Sequence, residues 1–398
     1  MKNHSSEVLY ISVDGIMEPL GYSQVFKYLE GLSRNYTINL ISFEKKTDLM
    51  NLKRLNILIK KCDNYDICWH RFKYRSGFFG LGKLINIGNL ILAPIYIFIT
   101  KKVYLVHIRS YLPGIVIPIL KALFRFKLIF DMRGFWADEK HDRMHWSKKS
   151  LKYKFFKRLE SYLINVSDNI VTLTSSSKNI ITENFNITPV SIEVIPTCVD
   201  FNEFKRVEGL SNHGSMIIGY LGSVDTAYNF SKFCFLVSQL QSRLDDSIHL
   251  KVLTNQSYDH VLQLIPQKLV PKIELEVKFV ERERLSREIS SFDLLGFYLN
   301  ENFSINASMP TKIAETLACG IPIVCNGFNE DIKNILEKND VGLIYNFNDA
   351  ITEEQLVRLI SLIKQPNAAS RCFEIAEKCF SLEKGTAMYL NIYSRLSS

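Results

Sequence analysis

The 398-residue sequence has no Asp-x-Asp triplet, no Gly-x-x-x-x-Gly-Lys-Ser/Thr loop, no Gly-x-Ser-x-Gly elbow and no His-Glu-x-x-His pair. These absences argue against a metal-chelated diphosphate site, a P-loop nucleotidase, a serine hydrolase and a zinc protease. The loop after the first expected strand is not Gly-x-Gly-x-x-Gly, which weakens a dinucleotide-dependent enzyme. No helix-turn-helix, zinc-finger or RNP signature is present, so a nucleic-acid partner is not expected. The eight cysteines have nearest spacings such as Cys62/Cys68 and Cys319/Cys325 that do not fit zinc patterns. Reduced, structural thiols in a cytoplasmic protein are the expectation. Residues 1–7 are polar and lead straight into a strand, so no secretory signal is expected. Long apolar runs are also scarce. The one worth testing, Leu84 to Thr100, contains Asn86, Gly88, Asn89 and Pro94 and falls short of the roughly 20 residues of a membrane span. A buried helix is expected there, with a helix lying in a membrane surface as the other reading.

The composition that remains, 47% hydrophobic and 23% charged, is that of a folded globular protein. Its length favours two domains of roughly 150–200 residues over one. Charge is unevenly divided. Residues 1–197 carry 29 Lys and Arg against 16 Asp and Glu, whereas residues 198–398 carry 20 against 25. The basic half suggests an anionic partner, whether nucleic acid, anionic lipid or a phosphate-bearing substrate.

Apolar strands alternate with amphipathic helical stretches through most of the chain. Val8–Val13, Ile38–Phe43, Ile67–Phe72, Val103–Ile108, Lys127–Met132, Asn169–Leu173 and Ile192–Ile195 read as one strand series. Ser215–Leu221, Ile248–Leu253, Leu275–Phe279, Leu294–Phe297 and Ile321–Cys325 read as a second. Helices in the gaps predict mostly parallel sheets covered on both faces, an α/β fold of two doubly wound domains. The boundary is expected near Pro196–Asp200. Two such domains would face a central cleft at the carboxyl ends of their strands, where ligands bind.

Most chemistry-bearing clusters fall at those strand ends. In the segment from Pro310 to Val324, Pro310 suits a helix start and Gly320 its end. Free N–H groups at that start, with Thr311 and Lys312, make a seat for phosphate. One turn on, Glu315 can accept from a ribose diol. The turn Gly219-Tyr220-Leu221-Gly222-Ser223 offers backbone for close approach by a phosphate. After the first strand, a loop from Asp14 leads to a helix start expected to be capped by Ser23 and followed by Gln24. Arg109 ends the fourth strand, and a core role for the neighbouring His107 is as plausible as a functional one. The fifth ends in Phe130-Asp131-Met132-Arg133-Gly134-Phe135-Trp136-Ala137-Asp138-Glu139, whose acids and aromatics suit a sugar. Eight Lys and Arg between Lys140 and Arg158, interleaved with aromatics, read equally as a solvated face or a lipid-phosphate contact. Arg282, Arg284 and Arg287 read as a solvated helix start.

These residues resemble a known family. Pro-Thr-Lys-Ile-Ala-Glu-Thr-Leu-Ala-Cys-Gly-Ile-Pro at 310–322, with the Gly-Tyr-Leu-Gly-Ser turn, Val-Ile-Pro-Thr-Cys-Val-Asp at 194–200 and the segment from Phe130 to Glu139, is similar to bacterial family 4 (group 1) glycosyltransferases. The resemblance runs over about residues 8–395, and the segment from Phe130 to Glu139 is similar to a subset found in surface-polysaccharide gene clusters. It implies the GT-B fold: residues 1–197 as an acceptor-binding Rossmann-like domain, 198–379 as a nucleotide-sugar-binding one, and 380–398 as a helix returning to the first.

It also implies sugar transfer from a nucleotide diphosphate donor, UDP or GDP, to a saccharide or polyprenyl-diphosphate-linked acceptor. Retention at the anomeric carbon, no metal, and a cytoplasmic or peripheral inner-membrane location are implied too. Gly222, Ser223, Pro310, Thr311, Lys312 and Glu315 would hold the donor. Ser23, Gln24, Arg109, Asp131, Arg133, Asp138 and Glu139 would meet the acceptor, with Lys312, Glu315, Asp131 and Arg133 closest to the chemistry. Two departures stand out. Ala307 replaces the first glutamate of a pair common in the family, and Asp225, Thr226, Ala227 and Tyr228 follow the turn where Arg and Lys are usual. They favour one other reading, a catalytically silent scaffold of the same fold, and a nucleotide-sugar 2-epimerase of similar two-domain shape is a third.

Overall fold

The computed structural model describes residues 7–75, 81–185, 191–210, 214–225, 227–244 and 247–397. The chain divides into two compact units, Met1–Pro196 with Leu382–Ser398, and Thr197–Ser381. In the first, seven strands are β1 (Glu7–Ser12), β2 (Thr37–Glu44), β3 (Ile67–Lys73), β4 (Val103–Arg109), β5 (Lys127–Asp131), β6 (Asn169–Thr172) and β7 (Ser191–Val194). They form one sheet in the order β3-β2-β1-β4-β5-β6-β7, and every pairing is parallel. The second unit repeats the plan with β8 (Ser215–Leu221), β9 (Ser247–Leu253), β10 (Ile273–Lys278), β11 (Leu294–Phe297), β12 (Ile323–Cys325) and β13 (Gly342–Ile344). Their order is β10-β9-β8-β11-β12-β13, again all parallel. All twelve expected strands are present. β13 was not expected, because a three-residue edge strand is too short to show a periodicity.

Residue choice follows position in the sheet. β1 and β2 are buried along nearly their whole length, as parallel strands covered on both faces must be. β3 lies at an edge, and most of its residues reach solvent to some degree. In each sheet the chain order reverses beside the first strand, between β1 and β4 and between β8 and β11. Strand ends at such switch points are where open α/β sheets hold ligands.

The helix Leu382–Ser397 belongs to the first unit and packs on the helix Lys27–Leu32 and on β4. A Cβ at Gly31 would come within 2.4 Å of Thr386 Cγ2, so glycine permits this close crossing. Tyr393 shares a 2.8 Å hydrogen bond with His107 Nδ1, and Tyr389 donates to Asp131 Oδ2 at 3.3 Å.

The stretch expected as a buried helix is instead a largely exposed one. Leu81–Thr100 buries only Leu90, Pro94 and Ile97, while Leu84, Leu92 and Ile99 face solvent. Apolar composition alone could not distinguish a packed face from an uncovered one.

Gly31→Ala should destabilise the first unit by about 1–3 kcal/mol through overpacking. Thr386→Ser, which removes the opposing methyl, should recover most of that loss in the double variant. Denaturant unfolding of the four proteins measures the coupling, and strictly additive losses would contradict this contact.

Candidate active site

Each unit gathers its candidate residues at the carboxyl ends of its central strands. In the first, Arg109 ends β4 in register with Asp131 at the end of β5. Asp131 is fully buried. Its Oδ2 accepts from Arg109 Nη1 at 3.3 Å, and its Oδ1 lies 3.6 Å from Arg133 Nη1. His107 Nε2 stands 3.8 Å from Oδ2. Burial by itself would raise the Asp131 carboxyl, but Arg133, the His107 contact and Arg109 outweigh it and hold the carboxyl down to about 2. His107 is lowered as well, because burial disfavours its charged form more than Asp131 favours it. Arg109 Nε also lies 3.7 Å from Asp14 Oδ2, so two arginines here face two carboxylates, Asp131 buried and Asp14 largely exposed.

Arg133 and Ser110 both adopt left-handed backbone, at φ 62° and 64°. For residues with a Cβ this costs roughly 1–2 kcal/mol each. Strain of this kind, on neighbouring strand ends beside a buried charge cluster, is a feature of functional sites.

The loop after β1 is held from β2. Glu44 accepts from the backbone N–H groups of Ile16 and Met17, both at 3.0 Å, and from Ser42 Oγ at 2.6 Å. Ser23 does not cap the helix that follows. That helix begins at Pro19, and Ser23 lies buried inside a π-helical turn, Tyr22–Phe26, with its hydroxyl on the Leu20 carbonyl. Pro19 fixes the start four residues earlier, since its missing N–H costs nothing there. Gln24, in the same turn, accepts from Arg109 Nη1 through its carbonyl at 3.2 Å. Wide turns of this type recur at functional sites.

Asp138 and Glu139 stand apart from Asp131 in these contacts. Asp138 Oδ1 accepts from Tyr153 at 2.6 Å and Oδ2 from Lys157 at 3.0 Å, tying the helix Trp136–Met144 to Leu151–Val166. Both its oxygens thus serve packing. Glu139 lies 3.9 Å from Arg143, and burial raises its carboxyl.

In the second unit, the helix Thr311–Ala318 has Pro310 as its N-cap and ends at Gly320, whose φ of 76° suits glycine. Lys312 is buried, and its Nζ has no hydrogen-bond partner among the described residues. It lies over three rings instead, 3.8 Å from the centroid of Tyr228, 5.0 Å from Phe297 and 5.2 Å from Tyr220. Desolvation lowers it from 10.5 to about 7, against the pull of Glu315. The rings return only part of what burial costs an ammonium.

Gly222, at φ 105°, would bring a Cβ within 3.4 Å of this amine. Its N–H is already bound to Leu253, so the open feature of the turn is the missing side chain, not a free amide. The Ser223 hydroxyl is bonded to the Asp225 carbonyl at 3.2 Å, and Asp225 Oδ2 pairs with His260 at 2.9 Å. Thr226 lies outside the described residues.

Glu315 is also buried, which raises its carboxyl, while Arg282 and Lys312 draw it back. Its Oε1 accepts from Arg282 Nη1 at 3.3 Å, and Arg282 Nε donates to Glu203 at 3.0 Å. The sequence alone suggested a solvated role for Arg282. It is mostly buried, its guanidinium 4.9 Å from the Phe204 ring. Its position at a helix start gave no cue, because the partner carboxylate is 33 residues away. Ala307 is buried in a short 3-10 turn, Phe303–Ala307, and brings no carboxylate to this region.

Asp131→Asn would leave two arginines facing a neutral amide, so the first unit should lose about 3–5 kcal/mol. In the parent, a carboxyl lowered from 3.8 to about 2 contributes stability that is complete above pH 4 and fades as pH falls through 2. Chemical unfolding at neutral and acidic pH checks both statements. The variant should be weaker at pH 7 and lose less on acidification, and equal pH dependence would contradict the burial of this charge.

Residues 36–203 match the sequence model of Glycosyltransferase Family 4. No curated protein matches the chain. Among solved structures, a glycosyltransferase from Rickettsia africae is similar at TM-score 0.71 and 15% identity, over 100% of this chain and 99% of that one. Sucrose-phosphate synthase from Thermosynechococcus elongatus is similar at TM-score 0.70 and 13% identity, over 98% and 99% of the two chains. HepE from Anabaena, in complex with UDP and glucose, is similar at TM-score 0.67 and 14% identity, over 97% and 99%. Two parallel sheets of seven and six strands with flanking helices are the architecture these structures share with it. Residues 36–203 are therefore a glycosyltransferase family 4 domain, and the chain is a glycosyltransferase with the GT-B fold.

Proposed function

We propose that the second unit holds the diphosphate of a nucleotide sugar over Lys312 and Gly222, and that the sugar passes to a saccharide or lipid-linked saccharide recognised by the first unit. The observation that carries this reading is the buried, unbonded Nζ of Lys312 beside the missing side chain of Gly222. A diphosphate would supply acceptors for the amine's three donors and restore its charge. The helix N-terminus at Thr311 adds oriented N–H groups for the same anion. Glu315, fixed through one oxygen by Arg282, keeps the other for a ribose diol.

In the transfer step the bond between anomeric carbon and diphosphate breaks, and charge accumulates on the leaving oxygen. Lys312 and the helix N–H groups stabilise that charge. We assign retention at the anomeric carbon and no metal, in keeping with the family resemblance. Arg109 and Arg133, the two guanidinium groups beside Asp131, suit an acceptor carrying phosphate, such as a polyprenyl diphosphate saccharide. Such an acceptor places the work in surface-polysaccharide synthesis at the cytoplasmic side of a membrane, with the basic first unit toward the lipid. A second reading, a binding protein without turnover, draws on Ala307, where the usual carboxylate toward the donor sugar is missing.

Calorimetric titration with UDP and GDP tests the donor site. One of them should bind, with affinity declining above pH 7 as Lys312 loses its proton. Lys312→Met should bind at least about tenfold more weakly and lose that pH dependence. Glu315→Gln should lose discrimination between the ribonucleotide and its 2′,3′-dideoxy form. Absence of binding by either nucleotide would overturn the assignment, and binding without sugar transfer across an acceptor panel would support the second reading.

A further inference from the structure

The exposed helix Leu81–Thr100 needs an explanation that donor and acceptor binding do not give. It is 20 residues long, about 30 Å at the usual rise, and its sole charged residue is Lys83. Its buried residues, Leu90, Pro94 and Ile97, form one stripe. By helical phase, Leu84, Leu92, Tyr96 and Ile99 lie on the opposite face, and each of these four is more than 60% exposed. A soluble helix carries polar residues there. The uncovered face continues onto the neighbouring helix Ile117–Phe124, where Ile119 and Leu123 are also exposed. Phe98 joins the two helices, stacking on Phe124 at 4.6 Å and Phe126 at 5.0 Å.

Charge identifies the occupant. Between Asp66 and Asp131 the chain has ten Lys and Arg and not one Asp or Glu. Lys83, Lys102 and Arg125, on or next to the two helices, are exposed. Lys101, Lys121 and Lys127 are paired with Glu7 and Asp168, but an apolar face edged by the exposed Lys83, Lys102 and Arg125 suits a surface that is apolar inside and anionic outside, namely a bilayer with acidic headgroups. A second copy of the same face would bring like charges together.

The helix is long enough to span a bilayer. Yet it is the crossover from β3 to β4, two strands of one sheet, and one of its stripes is buried in the unit. A spanning segment would put its ends in different aqueous phases, which this connection forbids. We propose that Leu81–Thr100, with Ile119 and Leu123, lies in the plane of an anionic membrane surface and docks the first unit there. Tyr96 is the type of side chain that settles at the headgroup level. This deepens the lipid-linked acceptor reading and rests on it for its purpose, though vesicle binding needs no substrate.

Co-sedimentation of the full chain with phosphatidylcholine vesicles, with and without phosphatidylglycerol, tests the proposal. The protein should pellet with the anionic vesicles, and part should remain bound at high salt because apolar side chains are inserted. The double variant Leu92→Glu/Ile99→Glu should lose pelleting while keeping its melting curve and nucleotide binding. Val357→Glu, on the exposed face of a helix in the second unit, should pellet like the parent. Three results would overturn the proposal: no pelleting of the parent with either vesicle, equal pelleting of the double variant, or a lipid-free dimer that the double variant dissolves. Nucleotide titration of the same samples shows separately whether the donor reading stands.

Discussion

Parallel pairing in two doubly wound sheets is the constraint from which the candidate sites follow. Each strand must return over a face, so helices cover both faces and leave the strand ends for ligands. Where the chain order reverses, the connections diverge from adjacent strands. Arg109 and Asp131 in one sheet and Gly222 in the other sit at such ends, next to the switch points. Residues far apart in sequence therefore meet without any local motif joining them.

The two units treat buried charge differently, and the difference bears on mechanism. Asp131 is compensated by arginines on either side and a histidine, with strained backbone at Arg133 holding one of them in place. That cluster is prearranged, and its Asp131 carboxyl is held down to about 2. Lys312 has only aromatic faces beneath it, while Glu315, one turn on, is already bonded to Arg282. The first arrangement resists change of charge. The second is poised for it, as suits a group that must meet a diphosphate on entry and stabilise it on departure.

Much of this was legible in the sequence. β-branched runs between amphipathic stretches located twelve strands, and Pro310 to Gly320 announced a helix with its ends marked. What escaped notice depended on distant partners or on coverage. Arg282 is defined by Glu203 and Glu315, which only the fold brings to it. Ser23 has the right chemistry for a cap, but Pro19 starts the helix earlier. The aromatic bed of Lys312 comes from β8, β11 and the turn after β8, so no spacing rule could assemble it. Leu81–Thr100 was visible as an apolar segment, but which of its faces is covered is a tertiary fact.

The most direct test of the central claim is the titration of Lys312 itself, followed through the ε-methylene signal of 13C-lysine-labelled protein and assigned with Lys312→Met. Without ligand it should titrate near 7, and bound nucleoside diphosphate should move that midpoint toward the ordinary lysine range. A midpoint near 10.5 without ligand, or one that saturating diphosphate leaves unmoved, would contradict the assignment of Lys312 as the donor-site cation.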